Sequence, residues 1–289
     1  MKSTHLILKT MAFAVALSSA CIAQATPYSY ADITFSNLTL SGLSSPNLTI
    51  TGGQVTTSSS ANYGNAPGES RSSDGSLQTG SDTLQSRAGP GPFPGENNYG
   101  KALLSNFGTR GDAQITGNLV SGSPPLTVNA VSEGHLLSAV NTTSAASAAG
   151  TSTGFSFNFN VTSPTTLTLA FSAQEILNVL TTAAGDGASA QVSSSFSITR
   201  SDGTVQEFRP NALQGALTLS NIGSLMTDSG LQSFTHDFVL GTGTYEFSFL
   251  TGTQERLQAR IPEPAPLVLL GIGMLGFAAS RMRKADKHA

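Results

Sequence analysis

Phe155, Phe157, Phe159 and Val161 fall at every second position, with Ser156, Asn158 and Asn160 between them. Successive side chains of a strand point to opposite faces, so this spacing predicts an extended segment with one aromatic and one polar face. After Pro164, Leu167, Leu169 and Phe171 resume the period, and the two runs read as strands joined by a turn. Val192, Phe196 and Ile198 share one parity and lead into Ser201-Asp202-Gly203, after which Val205 to Phe208 return. Asp-Gly suits a hairpin turn because Gly accepts positive φ at little cost. Phe234, His236, Phe238 and Leu240, the Gly241-Thr242-Gly243 turn, and Tyr245, Phe247 and Phe249 make a third candidate hairpin. One buried face per strand is the mark of antiparallel sheets. Gln174 to Leu180 is the one segment with helical spacing, placing Ile176, Leu177 and Leu180 on one side.

The first half is patterned more weakly. Ile33 and Phe35, Leu38 and Leu40, and Leu48 and Ile50 predict short strands. Residues 56–98 are rich in Ser, Gly, Asn and Pro, with few large apolar side chains, and predict a long mobile insertion. Ser138 to Thr153, rich in Ala, Ser and Thr, reads as a small-residue strand or a loop. Turns make most of the connections, so the expected fold is all-β over residues 26–260: an antiparallel β-sandwich, jelly-roll-like.

Both ends of the chain break this pattern. Met1 to Thr10 carries Lys2 and Lys9 without an acid, Met11 to Leu17 is a short apolar core, and Ala23-Gln24-Ala25 is a small-residue cleavage site. These are the parts of a secretory signal peptide over residues 1–25, with Ala23 and Ala25 at the cut. Cys21 admits a second reading as a lipoprotein cysteine, but Ser18 stands three residues before it, where a lipobox has Leu. If Cys21 leaves with the signal, the mature chain has no cysteine, and neither disulfides nor thiol chemistry is available to it.

At the other end Ile261-Pro262-Glu263-Pro264 leads into an apolar run at 266–279, then Arg281, Arg283, Lys284 and Lys287, with 285–289 as a tail. Fourteen residues of helix span about 21 Å, against about 30 Å of bilayer hydrocarbon. Pro262, Pro264 and Pro266 prevent a helix from extending backwards to make up the length. The basic cluster would hold the tail on the cytoplasmic side and leave the rest outside. A buried helix with a solvated basic end is the other reading, but such a helix shows a polar face. This run is apolar all round and contains Gly271, Gly273 and Gly276.

The Pro-Glu-Pro motif, short apolar helix and basic cluster, at the extreme C-terminus and in that order, resemble the PEP-CTERM sorting signal of bacterial exosortase substrates. The resemblance covers 261–284. It implies export, transient lodging in the inner membrane, recognition and cleavage near Pro262, Glu263 and Pro264 by an exosortase, and release or attachment at the cell surface. It also implies a bacterium that makes extracellular polysaccharide. The nucleophile of the cleavage would belong to the exosortase. An aromatic alternating strand like Gly154 to Val161, followed by an aliphatic strand and an acidic-glycine hairpin, is similar to some surface proteins of this kind.

Between the signals fifteen acidic side chains face eight basic ones, with no basic stripe, which argues against a nucleic-acid partner. Polarity comes mainly from Ser, Thr, Asn, Gln and Gly. Catalytic chemistry has few candidates. His135 and His236 are the only histidines there, and a nucleophilic triad or a His-based metal site would need one of them. His236 shares the parity of Phe234 and Phe238 and reads as a core or edge residue; Asp237 faces the other way. Glu175, Glu207 and Glu246 are available as paired carboxylates for glycoside hydrolysis, but sequence does not place them across a cleft. The chain has no Trp to stack on a sugar, and Tyr28, Tyr30, Tyr63, Tyr99 and Tyr245 are scattered. Asp74, Asp186 and Asp202 each precede a Gly and stand alone. A calcium loop gathers roughly six to eight oxygens, so these are read as turn residues. Asn37, Asn47, Asn141 and Asn160 begin Asn-x-Ser/Thr triplets, which matter only where glycosylation machinery is present.

The sequence therefore predicts an exported, exosortase-processed surface or matrix protein, associated with biofilm exopolysaccharide, with no catalytic residues, cofactor or metal of its own. A carbohydrate-binding β-sandwich module and a secreted hydrolase are the alternatives.

Overall fold

The computed structural model describes residues 26–260, apart from 44–45, 65–67, 77–80, 96–97, 104–106, 120–123 and 137–143. The described residues are strand and loop, with one 3-10 turn at Asn211–Leu213. The first seven strands are β1 (Tyr28–Ser41), β2 (Leu48–Tyr63), β3 (Glu69–Ser76), β4 (Ser81–Gly91), β5 (Phe107–Thr116), β6 (Leu126–His135) and β7 (Ser144–Val161). They are followed by β8 (Thr165–Thr181), β9 (Gly187–Arg200), β10 (Val205–Phe208), β11 (Ala216–Leu219), β12 (Gly223–Asp228), β13 (Gln232–Leu240) and β14 (Gly243–Arg260).

These form two seven-stranded antiparallel sheets. Sheet A has the order β12-β8-β1-β6-β5-β4, with β13 beside β8 further along the same edge. Sheet B has the order β10-β9-β14-β7-β2-β3, with β11 also beside β9. Inward-facing side chains of both sheets share one apolar core. Phe35 of sheet A lies 5.1 Å from Phe249 and 6.1 Å from Phe196 of sheet B, both edge-on. Within sheet B, β7 and β14 set Phe155, Phe157 and Phe159 opposite Phe249, Phe247 and Tyr245. The period-2 pattern of the sequence is thus an aromatic ladder, each cross-strand pair adding about 0.2–1 kcal/mol to the burial of its rings.

The alternation located these strands but not their partners. β7 and β8 were expected to pair across a turn; β7 lies in sheet B and β8 in sheet A, and the turn at Pro164 passes between the sheets. The same holds at Gly241-Thr242-Gly243, where β13 belongs to sheet A and β14 to sheet B. A buried face is common to both sheets, so parity alone cannot separate a hairpin from a crossover. The hairpin at Asp202-Gly203 is real: β9 and β10 pair through it.

The helix expected at Gln174 to Leu180 is instead the second half of β8. Leu177 and Val179 face the shared core, whereas Ile176 and Leu180 pack on the outer face against Tyr28, Tyr30 and Val131. Two apolar faces erase the alternation and imitate a helical stripe. The insertion expected at 56–98 carries most of β2 and all of β3 and β4. Here even inward positions are hydroxylated: Thr57 and Ser59 are buried, and Ser59 Oγ meets Ser86 Oγ at 2.9 Å between the sheets. Ser144 onward is strand, the small-residue option of the two read from sequence.

Gly203 holds φ at 88°, and its N–H donates to the Arg200 carbonyl at 2.8 Å. A Cβ there would meet nothing within 4 Å. Gly203→Ala should therefore cost only the left-handed backbone penalty, about 1–2 kcal/mol, read as a shift of the urea midpoint with unchanged slope.

Candidate functional site

Arg110-Gly111-Asp112 puts opposite charges two residues apart, hence on one face of β5. It is the face of sheet A turned away from sheet B. β6 sets Glu133 opposite Arg110, and β1 sets Tyr30 opposite Glu133. Arg110 is fully buried, 2.6 Å from Asp112 Oδ2 through Nη1 and 2.9 Å from Glu133 Oε2 through Nη2. The same two nitrogens donate to the carbonyls of Asn98 and Gly100. Glu133 Oε1 accepts from the Tyr28 hydroxyl at 2.8 Å and the Leu103 N–H at 2.9 Å, and its Oε2 accepts from the Ala102 N–H at 3.0 Å. Tyr30 donates to the Tyr99 carbonyl at 2.6 Å. Residues 98–103 are thereby strapped across the outer face of the sheet. Buried charges persist only when paired and hydrogen-bonded, and the guanidinium fork suits two carboxylates and two carbonyls at once.

Burial pushes the Asp112 carboxyl up, against the opposing pull of Gln85 and Arg110. Burial also raises the phenols of Tyr28 and Tyr30, assisted by Glu133 and Asp32 respectively, so both remain neutral donors. Asp32 is pushed up to about 7 by burial, with Tyr30 and Arg110 opposing. The donors of Arg110 are committed to the strap and its carboxylates, so the arrangement works as a latch.

A second polar zone lies between the sheets, where Thr151, Thr253 and Ser132 join through hydroxyl contacts of 2.7 Å. Beside it Glu255 of β14 is completely buried and accepts from Thr109 Oγ1 at 2.7 Å. Its Oε2 has no hydrogen-bond partner among the described residues, and burial pushes its carboxyl up to about 8. Gly134 faces it, and a Cβ there would stand 2.6 Å from that oxygen. The absent side chain leaves the carboxyl its space.

The residues singled out in the sequence fall elsewhere or into packing roles. His135 is buried with Nδ1 2.7 Å from the Leu103 carbonyl and its ring edge-on to Tyr28, so it helps seat the strap. His236 stacks on Phe208 at 4.4 Å on the edge strand β13, an edge histidine as expected. Glu175 points inward between the sheets, where its carboxylate accepts from the Gly215 N–H at 2.9 Å. Glu207 pairs with Arg209 at 2.6 Å on β10, and Glu246 is exposed on β14. Glu175 is thus buried apart from Glu207 and Glu246, which lie on the outer face of sheet B on either side of β9. Asp202 turns the β9–β10 hairpin, accepting from the Thr204 N–H at 2.9 Å, and Asp186 accepts from the Ala183 N–H at 3.1 Å. Tyr245 stacks on Phe159 in the core, and Tyr28, Tyr30 and Tyr99 belong to the strap region. Among the described residues no three His, Cys, Asp or Glu side chains are grouped to hold a metal ion, and no helix is long and apolar enough to cross a membrane. The latch was missed in the sequence reading; its signal was the charge pair flanking Gly111.

The outer face of sheet B is uncharged over its middle. Gly150 and Gly252 floor a shallow trough of about 530 Å³ flanked by Ser58, Ser60, Ser152, Gln191, Ser193 and Gln254.

The last described strand, β14, runs in the middle of sheet B and ends at Arg260, paired with Ser144. The family described as the PEP-CTERM protein-sorting motif matches residues 260–284, which include Pro262, Glu263, Pro264, Arg281, Arg283 and Lys284. The chain thus carries a PEP-CTERM sorting motif, which implies an exported protein processed by an exosortase. No curated protein and no solved structure matches the chain. The motif residues, the apolar run at 266–279, Cys21 and the signal-peptide positions Ala23 and Ala25 lie outside the described residues.

Proposed function

We propose that the protein is an exosortase-processed cell-surface or extracellular-matrix protein, associated with the exopolysaccharide of a biofilm and without catalysis of its own. The observation that carries this reading is the sorting motif at 260–284, which starts where the central strand of sheet B ends. Residues 1–25 would act as signal peptide, the run at 266–279 as a transient inner-membrane helix, and Arg281, Arg283 and Lys284 as its cytoplasmic stop. The two sheets, between which the chain passes repeatedly, are read as a jelly-roll β-sandwich. The non-catalytic role is supported by the commitment of Arg110, Asp112 and Glu133 to the latch and by the engagement of Glu175 with the Gly215 N–H and of Glu207 with Arg209.

Mass spectrometry of the native surface form tests this. The mature protein should lack Pro266 to Ala289, and Glu263→Ala or Pro264→Ala should leave most of the chain uncut and in the membrane fraction. A surface form that keeps the whole C-terminus would remove the reading.

A second reading, a carbohydrate-binding module, is favoured by the hydroxyl- and amide-lined trough on sheet B. It predicts retention on the organism's own matrix glycan at low salt, abolished by Gly252→Gln, which fills the trough.

A further inference from the structure

We propose that one pole of the β domain, the end bearing Ile222 and Arg256, docks on the outer surface of the bilayer that the C-terminal apolar run enters. The inference rests on the sorting reading above. Both segments read as membrane-directed leave from this pole. At the N-terminal side, the Thr26 N–H donates to Thr182 Oγ1 at 2.9 Å, and Tyr28 pairs with Leu180 near the end of β8. At the C-terminal side, Gln258 pairs with Gly187 at the start of β9, and Arg260 ends β14. The short connection from Thr181 to Gly187 closes this same end across the two sheets, and the hydroxyl of Ser29 on β1 donates to the Ser189 carbonyl on β9 at 2.6 Å. The residue that follows the expected signal cut and the strand that runs into the sorting motif are therefore neighbours.

The reach of the chain does the rest. Only Ile261 to Ala265 separate Arg260 from the apolar run, an extended span of about 20 Å. The headgroup layer occupies about 5–8 Å of it. Proline cannot donate to a helix and fixes φ, so Pro262 and Pro264 argue against a helix in this connection. The 18 residues of β14 run about 60 Å at strand rise, so the opposite pole, with the Asp202-Gly203 and Gly241-Thr242-Gly243 turns, stands far from the lipid. At the near pole Ile222 is 66% exposed, immediately before the first residue of β12, Gly223, which pairs with Thr181. Arg256 is exposed on β14 at the same end. The far pole also exposes apolar side chains and a guanidinium, at Val205, Val239 and Arg200, so the choice of pole rests on the two chain ends that leave from this one.

The test uses the chain from Thr26 to Ala289, which contains no cysteine, reconstituted in liposomes of phosphatidylethanolamine and phosphatidylglycerol without exosortase. Ile222→Cys and Ser201→Cys, both at exposed positions, carry a fluorophore read against a quencher attached to lipid headgroups. Several-fold stronger quenching at position 222 than at 201, in protein that floats with the liposomes, is the expected result. Equal quenching, or stronger quenching at 201, in floating protein overturns the docking while leaving the sorting reading intact. Quenching at 222 that needs added exosortase overturns lipid docking and assigns the pole to the enzyme. Protein that fails to float overturns the sorting reading and the docking with it.

Discussion

Arg110→Met should lower the stability of the β domain by about 3–5 kcal/mol, the cost of leaving a buried charge without its partner. Two carboxylates are affected, since Arg110 pairs with both Asp112 and Glu133, and all three side chains are fully buried. The change also removes the donors to Asn98 and Gly100, so the strap is held there only by the Tyr30 bond to the Tyr99 carbonyl, while the Glu133 bonds to Ala102 and Leu103 remain. Two measurements should move together: the denaturant midpoint falls, and trypsin cuts after Lys101 under native conditions. Arg110→Lys should fall between the two proteins, because an ammonium keeps the charge but lacks the fork that reaches both carboxylates and both carbonyls. A Met variant as stable as the parent, with Lys101 still protected, would show that the latch does not hold the strap.

Glu255→Gln should remove its own share of a pH dependence that the parent shows between about pH 4.5 and 8. With its carboxyl pushed up to about 8 by burial, the folded state keeps a proton that the unfolded chain releases near its ordinary value. The folded state binds more protons across that window, so stability falls as pH rises and levels off above the folded value. Over three and a half pH units the loss approaches about 5 kcal/mol as an upper bound. Asp32, pushed up to about 7, acts in the same direction over a window that begins near its ordinary carboxylate value. The amide cannot ionise and retains an oxygen for Thr109, but it buries an N–H pair beside Gly134, at a cost of about 1–3 kcal/mol. The variant should therefore be somewhat less stable than the parent at pH 5 and more stable at pH 9. Urea midpoints across that range test it, and parallel curves for the two proteins would contradict the buried-carboxyl account.

Strand positions were legible wherever one face was aromatic or aliphatic and the other polar. Phe155 to Val161, Val192 to Ile198 and Phe234 to Leu240 all lie in strands of the expected parity. Pairing was not legible, because Phe159 and Leu167 bury against the same core from different sheets and nothing local distinguishes them. Strands whose buried face is hydroxylic, as at Thr57 and Ser59, carry no hydropathy period at all. Strands apolar on both faces, as at Ile176 to Leu180, carry the wrong one. The latch was half legible: Arg110 and Asp112 share a face by spacing alone, but Glu133 and the carbonyls of residues 98 and 100 become partners only through the sheet order. The sorting motif was fully legible, since its recognition depends on order and distance along the chain.

The place of β14 bears on the order in which the chain can fold. Without residues 243–260, sheet B stays in two halves, β9 with β10 and β11, and β7 with β2 and β3. Tyr28 must also wait for Leu180, and Leu48 for Val161. Contacts this distant in sequence make for slow closure, which keeps a chain threadable while it is being translocated. The strand that joins the halves is the one nearest the sorting segment, so completion of the fold and arrival of the address at the membrane become a single late event.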